Sequence, residues 1–404
     1  MIKNKIICLL ILPLIFITGC AKTGKIESIS EKEQFRLKYG NFPEQFSIRD
    51  LNDVGNIRMG IAMRDGFFYA VDGNAKKAVE LNSYGDLLSL YYNEDSELAS
   101  FIEKTQRHLD HFSWEISYPF TFTGLITVDT NKCIYAACSI PRNREEIGEE
   151  GLLYCQVVMR ISRDGSSIDY IGQQGPGGSP FPYIKNIYTT QKNELVVVCN
   201  TNEGVIVYWF TDTGFLKKII PISIKNVPVY NANDDNIESY HTIENVIPDP
   251  EGFNLFVKID YYATAIDEDS KVQTGINYIQ TLLYSLDCEE GVYGDPVSIP
   301  PYEEAVVVDY SKLNYKMPYD FLGVASNGWK YFIIKTTDGF NIEIVSSESQ
   351  KILRRQFSVN HADNLYYNMN VSFDGIITAL YLDKEAARVV WYRTDNLIDA
   401  LLKN

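Results

Sequence analysis

Two turns flanking short β-branched strands recur six times along this 404-residue chain, and that ruler constrains its fold more than any other feature. Arg64-Asp65-Gly66 precedes FFYAVD, and Ser83-Tyr84-Gly85 precedes DLLSLYY. The pair returns as Asp129-Thr130-Asn131 with Arg163-Asp164-Gly165, and as Gln191-Lys192-Asn193 with Asp212-Thr213-Gly214. Pro250-Glu251-Gly252 with Glu289-Glu290-Gly291, Ser326-Asn327-Gly328 with Ser347-Glu348-Ser349, and Phe373-Asp374-Gly375 with Arg393-Thr394-Asp395 complete it. Gly, Asn and Asp tolerate the tight backbone that a strand reversal needs, and the runs between them are rich in Val, Ile, Tyr and Phe. Six copies of strand–turn–strand–strand–turn–strand describe six four-stranded sheets. Arranged radially, these are the blades of an all-β propeller.

Units two and four are longer, with extra residues between their second and third strands at SIPRNREEIGEEG (139–151) and ATAIDEDSKVQTG (263–275). The stretch YIGQQGPGGSPFPYIKNI (170–187) lies between the last strand of unit two and the first of unit three. It lacks the GxxxxGK[ST] pattern of a phosphate loop, and a β-branched run follows it, so it reads as a corner between blades. A similar corner, Tyr39-Gly40-Asn41-Phe42-Pro43, follows FRLKY near the N-terminus. Unit six shows only three strands before TDNLIDALLKN, whose spacing is helical, so FRLKY is expected to supply its outer strand and close the ring. A short helix is expected over 96–112, with Leu98, Phe101, Ile102, Leu109 and Phe112 on one stripe. If 97–118 instead hides a degenerate unit, the blades number seven.

Residues 1–19 read as a signal peptide, with Lys3 and Lys5 ahead of the apolar run IICLLILPLIFI. Twelve apolar residues are too few to cross a bilayer, which takes ~20. Ile17-Thr18-Gly19-Cys20 resembles a bacterial lipobox, with Ile in place of the commoner Leu, and it marks Cys20 for acylation. Several acyl chains hold a protein on a membrane far more firmly than one. Residues 20–34 then read as a flexible tether, and 35–404 as a single propeller domain.

Loss of Lys3 and Lys5 takes the net charge from −16 to −18, which excludes a nucleic-acid partner. None of Cys133, Cys138, Cys155, Cys199 and Cys288 sits in a CxxC pair, so no zinc knuckle or thioredoxin-like motif is present. Cys138 and Cys155 fall on neighbouring strands where a disulfide is conceivable, against five buried thiols.

In a propeller the turns joining strands one to two and three to four share one face, here called the turn face. The loops joining strands two to three, and blade to blade, share the other, the loop face. The segments 91–118, 139–151, 225–241, 263–275 and 300–318 are all assigned to the loop face. Insertions gathered on one side of a repeat protein mark its binding surface. Trp114, Tyr118, Arg142, Arg144, Tyr230, Tyr240, Tyr302, Tyr315 and Tyr319 are the candidate anchors there, being residue types that dominate interfaces. Tyr310 belongs to the same segments.

Catalytic constellations are poor. His108 and His111 are spaced i, i+3 and lack the Glu of a two-histidine zinc motif, while His241 and His361 stand alone. The acidic runs at 231–236 and 266–270 do not follow calcium-loop spacing. No cofactor, metal site or catalytic residue is assigned.

The FFYAVD strand and the corner IGQQGPGGSPF resemble NHL-type six-bladed propeller repeats. The whole chain, lipobox included, resembles a family of spirochaete β-propeller lipoproteins. The Val-Ala-Asp strand signature of such repeats is visible only in unit one. The resemblance implies an envelope protein anchored by lipid, on the periplasmic side or the cell surface, and it carries no activity. A protein or peptide partner on the loop face is the leading expectation. The alternatives are a hydrolase or lyase with a metal in the central channel, which related propellers of that kind possess, and a glycan-binding propeller.

Overall fold

The computed structural model describes residues 26–48, 57–105, 112–148, 151–165, 168–230, 239–266, 272–308, 311–346 and 351–402. Cys20, His108, His111, the run 231–236 and nearly all of 266–270 lie outside these residues. Six antiparallel sheets follow one another in the order the turns predict. Blade I comprises Met59–Arg64, Phe67–Asp72, Lys77–Leu81 and Leu87–Asn93, and blade II Thr121–Val128, Ile134–Ser139, Gln156–Ile161 and Ile168–Gly172. Blade III runs Ile184–Thr189, Leu195–Thr201, Gly204–Phe210 and Leu216–Ser223. In blade IV, Ser239–Pro248, Asn254–Ile266 and Gln273–Asp287 are followed by an outer strand broken into Val292–Tyr293 and Val297–Ile299. Blade V is Asp320–Val324, Lys330–Thr336, Gly339–Val345 and Ile352–Ser358. Blade VI takes Tyr366–Val371, Ile377–Leu382 and Ala386–Tyr392 from the C-terminal end and Lys32–Lys38 from the N-terminal end, as expected for ring closure.

The apolar residues form six clusters, one between each pair of adjacent blades. In the second strand of blade III, Val196 and Val198 pack towards blade IV while Leu195, Val197 and Cys199 pack towards blade II. Both faces of each blade are therefore buried. This explains why strands such as LVVVC read as unbroken apolar runs instead of alternating ones. At about 1.5–3 kcal/mol for each large side chain fully buried, the contacts between blades hold the ring closed.

Inner strands approach closely at one point. A Cβ on Gly60 of blade I would lie 1.7 Å from the carbonyl oxygen of Gly124 in blade II, and Gly124 itself has φ +102. Gly60→Ala must push two inner strands apart, and a loss of about 1–3 kcal/mol in urea unfolding is expected. Gly275→Ala, where a Cβ meets nothing within 4 Å, is the control and leaves the midpoint unchanged.

The insertions depart from expectation in three places. Segment 91–118 holds helix α1 (Glu97–Thr105), capped by Ser96 Oγ, which accepts the Ala99 N–H at 3.0 Å. Phe112, expected on the helix, instead opens Phe112–Ile116, which adds a fifth, parallel strand to the outer edge of blade I. The insertion thus covers a rim rather than decorating the loop face, and no seventh blade forms among the described residues. Segment 300–318 is a hairpin, Tyr302–Val308 with Ser311–Met317, forming a sheet of its own. Within the segment 20–34, Glu27–Ser28 pairs with the outer strand of blade V and the closing strand begins at Lys32.

The corner at 170–187 folds back before crossing. Gly172 pairs with Gly175, whose φ of +122 only glycine adopts readily, and Phe181 bridges Gln156 before blade III begins. The C-terminal segment forms α2 (Thr394–Leu402), with Ile398 buried against blades V and VI. The five cysteines beyond Cys20 are free thiols, and Cys138 pairs in register with Val157, not Cys155.

Candidate functional site

The central channel is the first place to look in a propeller. Its cavity of about 240 Å³ is lined by the first strands of all six blades. The polar groups on its wall are the amides of Asn186, Asn245, Asn368 and Asn370 and the hydroxyls of Thr127, Tyr188, Thr189 and Ser372; no carboxylate or imidazole borders it. Hard divalent cations are held by carboxylates supplemented with carbonyls. These residues do not fit a resident divalent metal, and no group of three His, Cys, Asp or Glu converges among the described residues. At the turn-face end Arg64, 7% exposed, lays its guanidinium 4.0 Å over Phe373 and donates from Nη2 to Gln191 Oε1 at 2.9 Å. That contact links blade I to blades III and VI at this end.

At the loop-face end the first strands of blades III, IV and V are each bulged, at Ile184/Asn186, Ile243/Asn245 and Phe321/Gly323. Bulges re-aim side chains, and here they tie one blade to the next. Lys185 Nζ donates to the Glu244 carbonyl, Asn186 Nδ2 to Asn245 Oδ1 at 3.1 Å, and Asn245 Nδ2 to the Phe321 carbonyl at 2.9 Å. The Glu244 carboxylate accepts the Phe321 N–H at 3.1 Å and lies 3.4 Å from Lys258 Nζ, which is itself fully buried on Asp260 at 2.7 Å. Burial pushes the Glu244 carboxyl up against the opposing pull of Lys258, and burial pushes the Lys185 ammonium down. Perturbed groups of this kind mark catalytic sites or structural networks. Here the hydrogen bonds run from bulge to bulge, so the cluster sets the shape of the channel mouth.

A larger cleft of about 670 Å³ opens between blades I and II, walled by Leu88, Trp114, Cys133 and Arg163. Glu80 lies at its base, fully buried, paired with Arg163 at 2.9 Å and accepting from Tyr69 and Ser89. Burial holds the Cys133 thiol up at about 12, which removes it as a nucleophile near neutral pH.

The expected anchors scatter. Trp114 stacks on Tyr91 at 4.8 Å within that rim cleft, away from the loop face. Tyr118 packs on Tyr170 at 4.8 Å and receives Arg144 at 5.3 Å, so these two do meet. Tyr230 packs on the buried Tyr261, and Tyr240 pairs with Tyr262 within blade IV. Tyr319 is 3% exposed and Tyr302 packs edge-on against it. Arg142, Arg144 and Tyr315 are exposed. His241 and His361 each bond a backbone carbonyl, of Ile224 and Gly339.

The loop face instead exposes aliphatic residues. Ile147 (78%) and Leu153 (43%) tip the blade II hairpin, and Val272 (60%) and Ile276 (57%) the blade IV hairpin. Tyr183 and Val229, on blade-to-blade connections, are exposed as well. The sequence signal was a lone aliphatic residue amid charges, as in REEIGEEG, which an emphasis on aromatics passed over.

No protein-family model matches the chain, and no curated protein matches its sequence. Among solved structures, a gluconolactonase from Xanthomonas campestris is 10% identical with a TM-score of 0.37, covering 91% of this chain and 97% of that one. The calcium-binding protein regucalcin from Agrobacterium tumefaciens is 9% identical with a TM-score of 0.36, covering 82% and 88%. The Dos1 propeller is 9% identical with a TM-score of 0.38, covering 84% and 81%. At these values the likeness is one of fold and carries nothing about activity.

Proposed function

We propose that this chain is a bacterial envelope lipoprotein, anchored through acyl chains on Cys20, whose six-bladed propeller binds a protein or peptide partner on its loop face. The observation that supports this reading is the pair of hairpins on blades II and IV, both tipped by exposed aliphatic residues. Apolar groups held out on rigid strands are the usual material of protein interfaces. Segments 139–151, 225–241, 263–275 and 300–318 form the proposed surface, with Arg142, Arg144 and Tyr315 at its polar margin. The channel residues support binding over hydrolysis, since none supplies a carboxylate. Tyr319 is buried and Tyr230 and Tyr302 pack on neighbouring rings, so these three do not offer a free stacking face to a glycan.

The test is crosslinking in envelope membranes with the intact protein, with both hairpins shortened to tight turns, and with Ile147→Asp combined with Val272→Asp. A partner captured by the intact protein is expected to be lost from the shortened form and weakened ~30-fold or more by the paired aspartates, the effect of removing a hot spot. Circular dichroism must show all three folded. Equal capture of that partner by all three removes the hairpins from recognition.

A further inference from the structure

The way the N-terminal segment joins the propeller carries an orientation. Glu27 and Ser28 pair in parallel with Arg355 and Gln356 in the outer strand of blade V. The Ile29 N–H donates to the Gln356 carbonyl at 2.9 Å, Glu27 meets Arg355 at 3.1 Å, and Ile29 packs into the cluster between blades V and VI. Three residues after Ile29 the chain becomes the outer strand of blade VI, and Arg388 holds Glu31 and Glu33 beside it at 3.1 and 3.4 Å. The chain is therefore docked to the rim from Glu27 onward.

The direction of that docking follows from the topology. The outer strand of blade V leaves the turn face at Ile352 and reaches the loop face at Ser358. Glu27–Ser28 runs parallel to it, so the described chain enters this pairing from the turn-face side. From Cys20 to Glu27 there are seven Cα–Cα steps, which span about 25 Å at most. A body of this size has a radius of gyration of about 21 Å, so the leash is shorter than the body is wide.

The loop face also extends further from the docking point. The second strand of blade III, Leu195–Thr201, has 7 residues, whereas that of blade IV, Asn254–Ile266, has 13. The extra six residues lengthen the blade IV ladder by ~20 Å. Placing that face on a bilayer would hold the docking point, half a strand (~12 Å) below the rim of the face, more than ~30 Å from the headgroups. The leash does not reach that far, and its described end enters the rim from the opposite side.

We propose that the N-terminal anchor turns the turn face towards the lipid bilayer and presents the loop face, with both hairpins, away from it. This rests on the lipid anchor of the proposed function. It gives the partner surface a location: reachable from the aqueous side, beyond the span of the membrane headgroups.

The experiment uses the lipidated full-length protein in phosphatidylcholine vesicles carrying an acceptor dye on the headgroup. In a background with the five native thiols replaced by serine, single donors are placed through Tyr84→Cys and Glu251→Cys on the turn face, or Ile147→Cys and Val272→Cys on the loop face. All four positions are exposed. Stronger energy transfer from both turn-face positions is the expected result. Equal or stronger transfer from the loop-face positions overturns the orientation while leaving the anchor intact. No transfer from any position, with Cys20 unmodified by mass spectrometry, removes the anchor and the orientation together. Inserting twenty Gly/Ser residues after Ala21 should erase the difference; if the difference persists, leash length is not its cause and the proposal fails.

Discussion

Lys77→Met is expected to destabilise the protein by about 3–5 kcal/mol, the range for stripping one partner from a buried charge pair. Lys77 is 2% exposed at the start of the third strand of blade I. Its ammonium donates to the carbonyls of Phe42 at 3.1 Å, Pro43 at 2.8 Å and Gln45. These carbonyls belong to the corner that follows the closing strand, so Lys77 latches the last blade to the first. Nearby Asp72, fully buried, accepts the N–H groups of Ser47 at 2.7 Å and of Asn74 and Ala75 at 3.0 Å. Methionine fills the space but leaves three carbonyls and a carboxylate without their cation.

The pH dependence gives this prediction a second arm. Burial lowers the Lys77 ammonium to about 8 against the opposing pull of Asp72, and burial raises the Asp72 carboxyl against Lys77 and the three N–H donors. Between pH 8 and about 10.5 the unfolded chain keeps a proton on Lys77 that the folded chain has lost, so this group's contribution to stability grows with pH there. In the variant, Asp72 loses its cation, and its raised carboxyl costs more as pH climbs above the ordinary carboxylate range. Both effects widen the gap between wild type and Lys77→Met as pH rises. Urea unfolding of the two proteins at pH 6, 8, 9 and 10 measures it, and a gap that narrows would contradict the latch.

The turns announced the blades because strand reversal demands particular residue types: Ser347-Glu348-Ser349 lies outside the described residues, and ten of the other eleven quoted turns join strands as read. The twelfth, Arg393-Thr394-Asp395, enters α2, where the chain has run out of strands and the N-terminal segment takes over. FRLKY was legible as the closing strand because blade VI visibly lacked one. The strand Phe112–Ile116 was not legible, since parallel pairing across a helix leaves no turn between partners. Side-chain fate was harder still. Tyr319 and Tyr315 sit four residues apart, yet one is buried and the other half exposed, because tertiary packing alone separates them. Lys258 and Asp260, central to the channel mouth, lie in a strand that reads only as NLFVKID. Their i, i+2 spacing puts both on one face of blade IV, a period-2 signal that a pattern of converging metal ligands does not contain.

Lys258 carries the other large expected effect. It has no exposed surface, and its partners Asp260, at 2.7 Å, and Glu244, at 3.4 Å, are themselves held by Thr281 Oγ1 and the Phe321 N–H. Lys258→Met alone strands two carboxylates beneath the bulges of blades III to V, and a loss of about 3–5 kcal/mol is expected. Adding Asp260→Leu removes the more deeply buried of the two acids and should recover most of that loss, since apolar replacements of a buried pair are often neutral. Glu244→Gln keeps an acceptor for the Phe321 N–H and should cost far less than Lys258→Met. Denaturant midpoints of the singles and the double close a mutant cycle, and additive losses would show that Lys258 and Asp260 do not act as a pair. Recovery in the double variant would mean that the ion pair adds little net stability. What it does contribute is then the placement of Glu244 against Phe321, which fixes the bulges, and near-UV dichroism of Tyr188, Tyr262 and Phe321 should differ from wild type even where stability does not.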